Sequence, residues 1–193
     1  MIYAHAGDLF FTSGSSLLAR AIRWVETEDG EEPTLTNHVG LVTGSGFMIP
    51  PEEFAKGNLA GTVEALWRVE HTRWWERHGH EPTTLMVWRP VTLDTAGLHR
   101  MANYAYKQVG NKYGWWKLGF HALKRFAGID ARSAMHIDKR PICSYLAAKA
   151  YSLAGIHFGG LAAIQTPDSM HDYVRNMRDV TWWFVGKETI NVG

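Results

Sequence analysis

The spacing of apolar and polar positions changes along the chain, and each change marks an element. Gly7-Asp8-Leu9-Phe10-Phe11-Thr12 predicts a turn leading into a short buried strand. After the loop Ser13-Gly14-Ser15-Ser16, residues Leu17, Leu18, Ala21, Ile22 and Val25 recur at helical spacing. An acidic surface loop follows over 26–33. Residues 36–43 are β-branched enough for a strand, 61–69 for a second strand of alternating character, and 83–90 for a third that Pro90 stops. The stretch 47–60 carries Pro50-Pro51 and reads as an irregular excursion, and 70–82 is polar and His-rich. Helical spacing returns with Asp94 as a cap and Leu98, Met101, Ala102, Ala105 and Val109 on one face. Residues 115–126 read as a further helix and 127–140 as a loop. Ile142, Leu146, Ala150 and Leu153 then give a helix after Pro141, closed by Gly155, and Thr166-Pro167-Asp168 opens a short one. A last strand is expected over 180–185. The expected fold class is α+β, an antiparallel sheet packed against helices, in a single domain over 1–193 with no internal repeat or linker.

Composition narrows the function. The 193 residues are 46% hydrophobic and 20% charged, which suits a globular domain with a substantial core. A formal net charge of +1 provides no basic field for nucleic acid, so none is expected as a partner. No apolar run approaches the roughly 18 residues of a transmembrane segment, and the start lacks a signal-peptide pattern. The expectation is a soluble protein, cytoplasmic by default, of unspecified oligomeric state. The 9 Trp, several in pairs, suit a core better than a cleft wall. Gly44-Ser45-Gly46 lacks the continuation of a phosphate-binding loop, and no Gly-x-Ser-x-Gly elbow occurs.

The chemistry centres on the single cysteine, Cys143, in the first turn of its predicted helix. Unpaired backbone N–H groups and the positive dipole end lower a thiol's pKa there, so more of it is thiolate. The competing reading is a small buried apolar residue. A nucleophile needs a base and an orienting partner. His38 opens one predicted strand and Glu64 lies in the next; on neighbouring strands the two can share a face. Taken singly, His38 also suits a surface strand and Glu64 a solvent-facing position. His78-Gly79-His80 with Glu76 and Glu81, and His136-Ile137-Asp138, hint at metal. Without His-Glu-x-x-His they read as solvated loops, so no metal or cofactor is expected.

Gly7-Asp8-Leu9-Phe10-Phe11, His38-Val39-Gly40-Leu41-Val42, Val63-Glu64-Ala65, Cys143-Ser144-Tyr145-Leu146 and Thr166-Pro167-Asp168 occur in an order that resembles the permuted papain-like branch of the NlpC-type superfamily, the YiiX-like hydrolases. The resemblance spans about residues 7–170. It implies a circularly permuted papain-like fold with Cys143 as nucleophile, His38 as base and Glu64 as the residue orienting His38. The backbone N–H of Cys143 would be an oxyanion donor. The implied activity is cysteine hydrolysis of amide or ester bonds, in cell-wall peptides or lipid-like acyl esters. The alternatives are acyl transfer to another acceptor, or a silent binding protein on the same fold.

Overall fold

The computed structural model describes residues 1–14, 36–51, 57–114, 142–178 and 181–191. The expected helices at 17–25 and 115–126, the loops at 26–33 and 127–140, Pro141 and the His136-Ile137-Asp138 group lie outside these residues. Eight strands are described: β1 (Ile2–Ala4), β2 (Leu9–Gly14), β3 (His38–Gly44), β4 (Gly46–Ile49), β5 (Gly61–Ala65), β6 (Val69–Arg73), β7 (Thr83–Pro90) and β8 (Trp182–Ile190). The helices are α1 (Trp74–His78), α2 (Thr95–Gln108), α3 (Cys143–Leu153) and α4 (Pro167–Asn176), with a 3₁₀ turn at Ala162–Ile164. Six strands form one antiparallel sheet in the order β6-β5-β3-β2-β7-β8, and β1 pairs with β4 as a separate ribbon.

Side chains alternate across the sheet and build two cores. Leu9, Phe11, Val39, Leu41, Val63 and Ala65 face α2, α3 and α4, packing against Met101, Leu146, Ala150, Tyr151 and Met170. Phe10, Val42, Leu85 and Val87 face the other way, onto Ile2, Met48, Ile49 and Trp74 from the ribbon and α1. The expected antiparallel sheet packed on helices is therefore present, with a further layer on its second face. Each fully buried Leu or Phe in these cores contributes about 1.5–3 kcal/mol.

Several boundaries differ from the sequence reading, for physical reasons. The expected strand over 61–69 is a hairpin: Leu66 N–H donates to Arg68 O at 3.0 Å, and β6 returns along β5. Strands β6 and β8 are edges with one neighbour each, so their outer faces tolerate Glu70, Arg73, Lys187 and Glu188, and apolar content under-reports them. Part of the expected excursion at 47–60 is regular, because β4 pairs with β1 (Ile2 opposite Ile49). The helix punctuation follows expectation. Asp94 accepts from Gly97 N–H at 2.6 Å, and Thr166 and Ser169 form a reciprocal capping box. Gly155, at φ +86°, ends α3 as Gly155 N–H bonds Ser152 O and Ile156 N–H bonds Tyr151 O.

The Gly7-Asp8 turn fastens these layers. Gly7 sits at φ +98°, which glycine adopts without steric cost. Asp8, buried, accepts two hydrogen bonds from Arg89 of β7, both 2.8 Å, and one from His5 N–H. The Tyr151 hydroxyl of α3 donates to Gly7 O at 2.8 Å. A residue near the start of the chain thereby fixes the helix that carries Cys143.

Candidate active site

Helix α3 begins at Cys143, with Ile142 as an extended N-cap residue that makes no side-chain cap bond. The first helical bond runs from Leu146 N–H to Ile142 O, so the N–H groups of 143, 144 and 145 have no acceptor within the helix. Cys143 is 6% exposed, and its thiol lies within the electrostatic reach of His38 and the Val39 N–H. Burial alone would push this thiol up; His38, Tyr113 and the Val39 N–H outweigh it and hold the thiol below its usual value.

His38 is the first residue of β3, where the helix start arrives. Its Nε2 lies 2.8 Å from Glu64 Oε2, so Nδ1 is the nitrogen left for the thiol. Burial pushes the imidazole down, yet hydrogen bonds and charge from Cys143 and Glu64 prevail and raise it to about 10. Glu64 is fully buried in β5. Burial would raise its carboxyl, but the charges and hydrogen bonds of His78 and His38 hold it well below the usual carboxylate range. The Thr62 hydroxyl donates to the other oxygen, Oε1, at 3.4 Å.

Register explains how His38 and Glu64 meet. Gly40 lies directly opposite Glu64, so His38 is a diagonal neighbour and not the facing one. A side chain at Gly40 would run into the Phe10 ring and come within 3.1 Å of Glu64 Cβ. The glycine two residues after His38 therefore keeps clear the space that the Phe10 ring and Glu64 share.

Two groups of the site were not assigned to it from sequence. Tyr113 OH lies 3.9 Å from Cys143 Sγ. It is carried there by the segment after α2, which runs along the turn between β5 and β6: Val69 N–H bonds Asn111 O, and Tyr113 N–H bonds Trp67 O. His78 is the second. It is the last residue of α1, stacked on the buried Trp74 one helical turn earlier, with Nε2 2.9 Å from the same Glu64 Oε2. The solvated-loop reading of His78 is thus corrected: its side chain is 13% exposed and bound to a buried carboxylate. The signal lay in Trp74 and His78 at i, i+4, hidden because five residues are too few to show a helical period.

Among the described residues, His38, Glu64 and His78 form the one cluster whose donor atoms could hold a metal ion, all within 4.8 Å of one another; Cys143 is not part of it. No described helix is long and apolar enough to cross a membrane.

No protein-family model matches the chain, and no curated protein matches it in sequence. Its fold is similar to that of the metalloprotein yiiX from Escherichia coli O157:H7, with a TM-score of 0.51 and 19% identity, over 81% of this chain and 69% of that one. At this identity the likeness is one of fold.

Proposed function

We infer that the chain is a cysteine hydrolase of amide or ester bonds on a circularly permuted papain-like domain of the NlpC type. One observation carries this reading. A buried thiol at a helix start is held low chiefly by a neighbouring histidine, and that histidine's Nε2 is 2.8 Å from a buried carboxylate. Nucleophile, base and orienting group stand in line, the arrangement acyl transfer through a thioester needs.

In the proposed mechanism the Cys143 thiolate attacks the substrate carbonyl carbon, and the carbonyl π electrons move to oxygen. The backbone N–H of Cys143 faces the developing oxyanion, and the Tyr113 hydroxyl beside Sγ is a second donor. Collapse of the tetrahedral species breaks the bond to the leaving group, which takes the Nδ1 proton of His38. Water, deprotonated by His38, then attacks the thioester and releases the acid and the free thiolate, returning the proton to His38. Glu64 holds the imidazole ring in place and favours its cationic form. Substrates would be cell-wall-type peptide amides or lipid-like acyl esters.

The structural neighbour is described as a metalloprotein, and the residues here that fit an ion are His38, Glu64 and His78. Two imidazoles and a carboxylate are a donor set that zinc takes in sites with an open fourth position, where it acts as a Lewis acid. The proposed hydrolysis runs without it.

The test is a screen of p-nitrophenyl esters, aminoacyl amides and peptidoglycan fragments, with Cys143→Ala as control. Turnover lost in the variant supports the reading. Turnover retained in Cys143→Ala, or a native Cys143 that resists iodoacetamide until denaturation, would refute it.

A further inference from the structure

Glu64 Oε2 serves two histidines at once, at 2.8 Å from His38 Nε2 and 2.9 Å from His78 Nε2. Orienting one imidazole needs only one of these contacts. The second histidine is delivered by a short helix whose Trp74 is buried against Phe10, so its position is built into the core beneath it. All three side chains are nearly closed to solvent: Glu64 is 0%, His38 10% and His78 13% exposed.

We propose that His38 Nε2, His78 Nε2 and the Glu64 carboxylate form a site for a divalent transition-metal ion of the zinc class, and that its occupation switches the hydrolase off. The switch rests on the hydrolase reading; the site does not. Tetrahedral zinc holds N and O donors at about 2.0–2.2 Å, which places them about 3.3 Å apart. The contacts of 2.8 and 2.9 Å therefore need to open by only about half an ångström. Binding expels the Nε2 protons of both rings, since each nitrogen must offer its lone pair.

The consequence for catalysis follows from the two nitrogens of His38. With Nε2 on the ion, the ring's remaining proton sits on Nδ1, facing Cys143. The ring is then a metal-bound neutral imidazole, which gives up that proton far less readily than an imidazolium does. The thiolate keeps its hydrogen bond, while the leaving group loses its proton donor. Turnover stops, yet the sulfur stays nucleophilic. This differs from an ion bound to Cys143 itself, which would occupy the sulfur.

The metal-free full chain is titrated with cobalt(II), whose tetrahedral visible spectrum reports the site directly. Wild type and Cys143→Ala are expected to develop the same spectrum at one equivalent. His78→Gln is expected to bind about 100-fold more weakly or worse. His78→Cys, which retains a ligand, is expected to keep the ion and add a sulfur-to-cobalt charge-transfer band. In zinc-loaded wild type, ester turnover should fall in proportion to occupancy while iodoacetamide still labels Cys143. Loss of the cobalt spectrum in Cys143→Ala, or full protection of the thiol by zinc, overturns the proposal by placing the ion on the Cys143–His38 pair. Undiminished binding by His78→Gln also overturns it. A chain that shows the cobalt spectrum but turns over no substrate refutes the hydrolase reading and leaves the cation site standing.

Discussion

Replacing Glu64 by Gln isolates the part played by its charge. The amide has nearly the carboxylate's shape, and its oxygen can accept from both histidines, so the hydrogen bonds survive while the charge is lost. His38 rises from 6.5 to about 10 against the opposing effect of burial, a net stabilisation of the imidazolium of about 5 kcal/mol shared between Cys143 and Glu64. A hydrogen bond to a charged partner contributes about 1–2 kcal/mol more than a neutral one. Glu64→Gln should therefore weaken the imidazolium by about 2 kcal/mol, shifting the thiol–thiolate balance of the pair about 30-fold. The assay is the rate of Cys143 alkylation by iodoacetamide against pH. Wild type should keep its thiolate rate well below the usual thiol range, and the acid limb in Glu64→Gln should move up by about 1–1.5 units. Glu64→Ala should be worse in two ways. It shifts the limb further, and it leaves two buried N–H donors without an acceptor, at about 1–3 kcal/mol of stability each. On turnover, His38→Ala combined with Glu64→Ala should cost about as much as His38→Ala alone, because the two act as a unit. An acid limb that stays in place in Glu64→Gln refutes the argument. So do losses that multiply in the double variant, which would mean Glu64 acts through stability or substrate contact.

Tyr113→Phe removes the hydroxyl 3.9 Å from Sγ and should lower turnover about 10- to 100-fold while changing the alkylation rate much less; equal effects on both would show that the phenol tunes the thiol and not the oxyanion. His171, buried beneath the sheet against Phe11 and Trp88, is held down to about 4, chiefly by burial. The unfolded chain binds this proton first, so stability present above pH 6.5 should fall by about 2 kcal/mol between pH 6.5 and 4.5, before Glu64 contributes. Denaturant melts of His171→Phe should be flat across that window.

The sequence was most legible where a single side chain enforces geometry. Asp94, Thr166 and Gly155 mark helix ends because capping bonds and left-handed backbone restrict those positions to few residue types. The buried strands β2, β3 and β7 are β-branched or aromatic and were readable as such. The outer strands were less so, because a strand with one neighbour carries polar residues on its free side. In the candidate site, His38, Glu64 and Cys143 were reachable through motif order. Tyr113 and His78 were not: each is delivered by tertiary contacts, the one by a segment bonded to the turn between β5 and β6 and the other by a single helical turn anchored on Trp74.

The end of β3 has a consequence for folding. One residue, His38, and the next, through the Val39 N–H, both act to hold the Cys143 thiol low. Because successive side chains point to opposite faces, sliding β3 by a single residue against β2 and β5 would turn the imidazole into the helical layer and bury an apolar residue at Glu64. A slipped chain would then lack the reactive thiol altogether, with no weakened version of it in between. On the proposed reading, alkylation of Cys143 would therefore report correct strand pairing. During refolding, rapid alkylation should emerge only as the β2–β3–β5 register locks, and molecules trapped out of register should remain silent to the reagent.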